Sequence, residues 1–114
     1  MRRLRRGTLA LLLIAAPAFA GDPKTCLDLS ARMDNDVSSP SGIRVIVSGR
    51  NRCTEDLDGS EARFKVIAVG AGGASIATQS GRFGGTVAAH GHVETLVFVS
   101  CDPERVRSVR VEGR

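Results

Sequence analysis

Along most of this chain apolar and polar side chains alternate singly, a period of two rather than 3.6. In residues 26–33 (CLDLSARM), Leu27, Leu29, Ala31 and Met33 fall on one side, and Asp28, Ser30 and Arg32 on the other. Residues 43–51 (IRVIVSGRN) set Ile43, Val45 and Val47 against Arg44, Ser48 and Arg50. Residues 62–69 place Phe64, Val66 and Ala68 on one face. Each is the pattern of a half-buried strand. Residues 74–83 and 85–89 read as two short strands or one bulged strand, and residues 105–113 as a closing strand. Residues 93–100 (VETLVFVS) are apolar on both faces, which predicts a central strand buried on two sides.

The connections carry turn chemistry: DNDVSSPSG (34–42), the polar loop TEDLDGSE (54–61), GAGG (70–73), AHGH (89–92) and DPE (102–104). About seven strands at regular spacing, with no amphipathic helical window, predict an all-β fold built as an antiparallel sandwich.

The first twenty residues break this pattern. Arg2, Arg3, Arg5 and Arg6 precede a short apolar run from Leu9 to Ala16, and Ala18-Phe19-Ala20 supplies the small residues of a cleavage site. That is the layout of a secretory signal peptide over 1–20, leaving a domain over 21–114. Pro17 interrupts the run well short of the roughly 20 residues a membrane span needs, so no span is expected after cleavage. Cleavage would expose Gly21, not a cysteine, so no lipid anchor is expected at Cys26. The expected location is periplasmic or secreted.

Cleavage also changes the charge. The chain has 16 Lys+Arg and 12 Asp+Glu; without the four signal arginines, bases and acids are equal. A neutral domain has no broad electrostatic footprint for nucleic acid. With no Trp and no Tyr, it also lacks the usual stacking surfaces for sugars or single strands.

From about Ile43 to Val111 the order of features resembles the FxLYD-like group of bacterial envelope domains. A strand ends in Gly49-Arg50-Asn51, and a tight turn ends at Gly73. The small-residue strand Ser75 to Thr78 follows, and Gly91 stands five residues before Leu96 on a long apolar strand. Where that group carries an aromatic-Asp pair before the turn, this chain has Val69-Gly70. The resemblance implies an immunoglobulin-like β-sandwich without catalytic residues.

Three cysteines in an exported chain imply at least one disulfide. In an immunoglobulin-like topology, Cys53, Cys101 and Cys26 would all arrive at one end of the sandwich. Cys53 is in phase with Val45 and Val47, and Cys101 with Val97 and Val99, so both are expected to point inward. Cys26 shares the phase of Asp28 and Ser30, which points outward. A Cys53–Cys101 bond is therefore preferred, with Cys26–Cys53 as the alternative should a bulge reverse the phase.

His90 and His92 flank Gly91 and can share a face with Glu94, a spacing that suits Cu or Zn; a polar turn is the plainer reading. Glu55, Asp56, Asp58 and Glu61 crowd one loop, but the remaining ligands of a calcium loop are missing. Arg105, Arg107 and Arg110 suggest an acidic partner or lipid head groups, or a charged edge that discourages aggregation. Ser100, Asp102 and the two His can be written as a triad, yet no nucleophile turn surrounds the serine. The reading is thus a non-catalytic envelope or secreted module with a protein partner, no cofactor and no nucleic acid. A metal-binding protein using His90 and His92 is the alternative.

Overall fold

The computed structural model describes residues 21–35 and 39–114. The expected signal peptide and residues 36–38 lie outside the described residues. One helical turn, α1 (Pro23–Cys26), leads into β1 (Leu27–Met33) and β2 (Gly42–Asn51). Then come β3 (Leu57–Asp58), β4 (Arg63–Val69), β5 (Ser75–Arg82), β6 (Thr86–Val87), β7 (His92–Ser100) and β8 (Ser108–Gly113).

The long strands form two antiparallel three-stranded sheets, ordered β1-β2-β7 and β5-β4-β8, and β3 pairs with β6 as a small flap. The two sheets pack with β1 against β8 on one side and β5 against β7 on the other. The fold is an all-β sandwich. Strands β2 and β4, the second and third long strands, lie in different sheets, as the second and third strands of an immunoglobulin-like fold do.

Alternation translates directly into the core. Val45 and Val47 of β2, Phe64, Val66 and Ala68 of β4, and Val99 of β7 are buried between the sheets with Ala62 and Phe83. The rings of Phe64 and Phe83 meet at 5.1 Å between centroids, tilted by 55°, a favourable edge-to-face range. Gly81 makes room for this pair, since a Cβ there would stand 2.9 Å from the Phe64 ring. The GAGG segment turns as expected, with Gly72 and Gly73 at φ of 70° and 80°, a conformation glycine adopts without a Cβ clash.

Two expectations fail, for physical reasons. Strand β7 is not central: it is an edge of its sheet, and Leu96 and Phe98 on its outer face are 54% and 44% exposed. Its second apolar face is on the surface. The loop 54–61 is not wholly solvated either. Leu57 is fully buried, forming with Cys26 and Val87 a second small core beneath the β3–β6 flap.

Candidate interaction site

The outer face of sheet β1-β2-β7 is built row by row from its register. Asp28, Arg50 and His92 stand in one row, Ser30, Ser48 and Glu94 in the next, then Arg32, Ile46 and Leu96, and finally Arg44 beside Phe98. Cross-strand neighbours share a face and lie within side-chain reach. The face therefore has a polar half and an apolar half.

Glu94 organises the polar half. Its carboxylate accepts from the Ser48 hydroxyl at 3.0 Å and from Arg32 Nη1 at 3.4 Å, with His92 Nε2 at 3.9 Å. The Ser48 hydrogen bond, with further help from Arg32 and His92, holds this carboxyl below its ordinary range against an opposing desolvation second only to Ser48. Arg52 pairs with Asp28 at 3.0 Å and Arg44 with Asp34 at 3.7 Å. In the apolar half, half-buried Ile46 backs the exposed Leu96, and Phe98 lies over Gly42.

The cysteines correct the preferred pairing. Cys26 and Cys53 form the disulfide, with Cα atoms 5.4 Å apart, and Cys101 is free. A Cys53–Cys101 bond fails on topology. Strands β2 and β7 are antiparallel neighbours, with Gly42 opposite Ser100 and Arg50 opposite His92. Cys53, just past the end of β2, and Cys101, just past the end of β7, are thereby sent to opposite ends of the sheet. Eight residues of strand separate those ends by about 27 Å, far beyond disulfide reach.

The phase argument for Cys26 fails because that residue closes a helical turn rather than opening a strand. Asp22 caps the turn by accepting from Lys24 N at 3.0 Å, and Pro23 occupies its first position. Cys26 is thereby turned inward and buried, and its carbonyl accepts from Arg52 N, extending the β1–β2 ladder to the partner cysteine.

His92 and Glu94 do share a face, as the spacing predicts. His90 instead lies in the preceding turn with φ of 58°, exposed, its backbone N–H donating to the Cys53 carbonyl at 3.3 Å. Among the described residues no three His, Cys, Asp or Glu side chains come together as a metal site. Asp56 Oδ1 accepts from Ala89 N, and Asp58 Oδ1 from Ser60 N and its hydroxyl, so both carboxylates of the calcium-like fragment serve the chain's own turns. Ser100 and Asp102 sit at the end of β7 opposite to His90 and His92, so the written triad is not assembled. Of the three arginines singled out, only Arg110 is in a strand, and it pairs with Glu112 at 3.5 Å.

The polar residue that matters most to this end of the molecule escapes motif reading. Asn51 is fully buried. Its Nδ2 donates to the carbonyls of Glu55 (2.7 Å), Ala88 (3.1 Å) and Val87 (3.3 Å), and its Oδ1 accepts from Cys53 N (2.9 Å). One signal was present in the sequence: Asn51 continues the inward phase of Val45 and Val47. The Cys101 thiol, half-buried and 3.6 Å from the Val99 carbonyl, is raised above its ordinary range by burial first and by Asp102 second. Such a thiol is a weak nucleophile.

Comparison with protein-family models, with curated proteins and with solved structures returned no match.

Proposed function

We propose that the protein is a non-catalytic exported module, periplasmic or secreted, that binds a protein partner in the cell envelope through the apolar half of the β1-β2-β7 face. One observation carries the reading. Among the described residues, Leu96 and Phe98 are the large hydrophobic side chains left exposed, and both stand on one edge strand beside Ile46. Contiguous apolar surface of this kind marks interaction sites more often than chance exposure does, and an edge strand is where a sheet accepts a partner. The disulfide fits a compartment outside the reducing cytosol. Among the described residues no helix is long and apolar enough to cross a membrane. The likeness to FxLYD-like domains favours the same non-catalytic class.

The test is a photo-crosslinking residue at position 96 in an exporting host, with position 78 on the opposite sheet as control. The reading expects an adduct with another protein at 96 that disappears when Phe98→Ser is added. Equal adducts at both positions, or none at 96, would overturn it.

A further inference from the structure

The outer face of the other sheet carries a different chemistry. Its register sets Arg63 of β4 directly opposite Arg82 of β5. On the other flank, Gly113 stands opposite Phe64, and Arg114 follows with its N–H on the Arg63 carbonyl at 3.0 Å. Arg82, Arg63 and Arg114 thus form one row across three strands, spanning about 10 Å at ordinary strand spacing. The next row brings Lys65 beside Glu112, and the row beyond it Arg110 beside Ile67.

Like charges placed directly opposite each other oppose folding. On the first face nearly every cation is matched by a carboxylate; on this one, among the described residues, Arg63, Lys65 and Arg82 have no ion-pair partner. Arg114 is held against the sheet by donating to the Ser80 hydroxyl at 2.7 Å. Arg63 and Arg114 also wall a cleft of about 240 Å³ together with Lys24, opposite two acids, Asp28 and Glu61. From residue 21 onward bases and acids are equal in number, so this positive face is a local concentration and not a reflection of net charge.

We propose that the β5-β4-β8 face seats on an anionic membrane surface, with Arg63, Arg82 and Arg114 contacting lipid phosphates. Charge complementarity and shape select this occupant. The cations lie at the regularly paired end of the sheet face, before the register shift at Ala68/Val69, and their side chains are exposed or half-buried. Such a row suits a plane of head groups, and guanidinium forks match phosphate oxygens. A nucleic-acid strand is disfavoured because, among the described residues, no aromatic side chain lies on this face for bases to stack on: Phe64 and Phe83 are buried and Phe98 belongs to the other sheet.

The binding is tested with full-length protein recovered from an exporting host, its N-terminus established by intact mass. Sedimentation with vesicles of phosphatidylcholine alone is compared with vesicles containing phosphatidylglycerol. Arg63→Gln/Arg82→Gln is set against Arg32→Gln/Arg50→Gln, which makes the same charge change on the opposite face. The proposal expects anionic vesicles to be preferred, the preference to fade with added salt, and the first pair to weaken binding about thirtyfold while the second leaves it within about threefold. Equal binding to both vesicle types would overturn it, as would equal loss in the two variants. Inorganic phosphate shifting the Arg63 and Arg82 resonances in NMR without any vesicle preference would reassign the site to a free anion and overturn the membrane assignment.

Discussion

The two ends of the sandwich are fastened in different ways. Where β2 finishes and β7 begins, the chain makes two irregular excursions, one between β2 and β4 and one between β5 and β7. There the fasteners are long-range: the Cys26–Cys53 bond, the Asn51 amide reaching residues 55, 87 and 88, and Asp56 accepting from Ala89. At the other end they are mostly local. Ser39 Oγ accepts from Ser41 N at 3.3 Å, Asp102 accepts from Glu104 N at 3.1 Å, and Cys101 N donates to the Ser41 carbonyl at 3.1 Å. Buried irregular backbone must find hydrogen-bond partners. The first end has such backbone and meets the demand with the Asn51 amide, while the disulfide holds the same end covalently.

This contrast predicts a gradient of mutational cost. The largest effect falls on Asn51. Asn51→Ala removes a donor from the carbonyls of Glu55, Val87 and Ala88, the last of which keeps Gly91 N, and takes the acceptor from Cys53 N. Urea unfolding is expected to show a loss of about 4 kcal/mol. A loss below about 1 kcal/mol would mean that water replaces the amide and that the buried network is not what fixes this end. Next comes the disulfide. Cys26→Ala/Cys53→Ala opens a loop closed over a sequence separation of 27, for which loop entropy gives about 3.5 kcal/mol. Cys101→Ala at the opposite end is expected to cost less than about 1.5 kcal/mol in the same measurement. Similar losses for the two cysteine variants would break the comparison outright.

The smallest effect belongs to the exposed counterpart of Asn51. Glu94 also gathers three partners, but at the surface, where solvent screens them. Its carboxyl is held below its ordinary range, so its contribution is present above the unfolded carboxylate pKa and fades as pH falls through the folded one. The stability difference between the parent protein and Glu94→Gln, followed by denaturation across the acid range, is expected to shrink on acidification. A difference that grows instead would reverse the assigned direction.

How far the sequence disclosed this arrangement depended on the range of the interaction. Period-two burial is local, so β1, β2, β4 and the inward set Val45, Val47, Phe64, Val66 and Ala68 were legible, whereas β5 was readable only as a short or bulged strand and β7 only as an apolar run. The position of β7 was not. Leu96 and Phe98 are as apolar as core residues, and nothing along the chain separates an outer apolar face from an inner one. Leu57 was hidden because a two-residue strand has no period to detect. The cysteine pairing misled because it rests on which strands are neighbours, and because Asp22 and Pro23 start a helical turn where a strand was assumed. The row Arg82, Arg63 and Arg114 is scattered over three strands, so it exists only once the register of β4 with both its neighbours is set.

The disulfide also has a consequence in time. A polypeptide emerges from its N-terminus, and of Cys26, Cys53 and Cys101 the two bonded ones appear before the third, which follows 48 residues after Cys53. Partners that meet in order of appearance already make the native link. Cys101 arrives last, on a strand end that the β2–β7 register carries to the far side of the sheet. Maturation of this chain therefore calls for an oxidant but not for reshuffling, and an isomerase that repairs bonds formed out of sequence has little to do here.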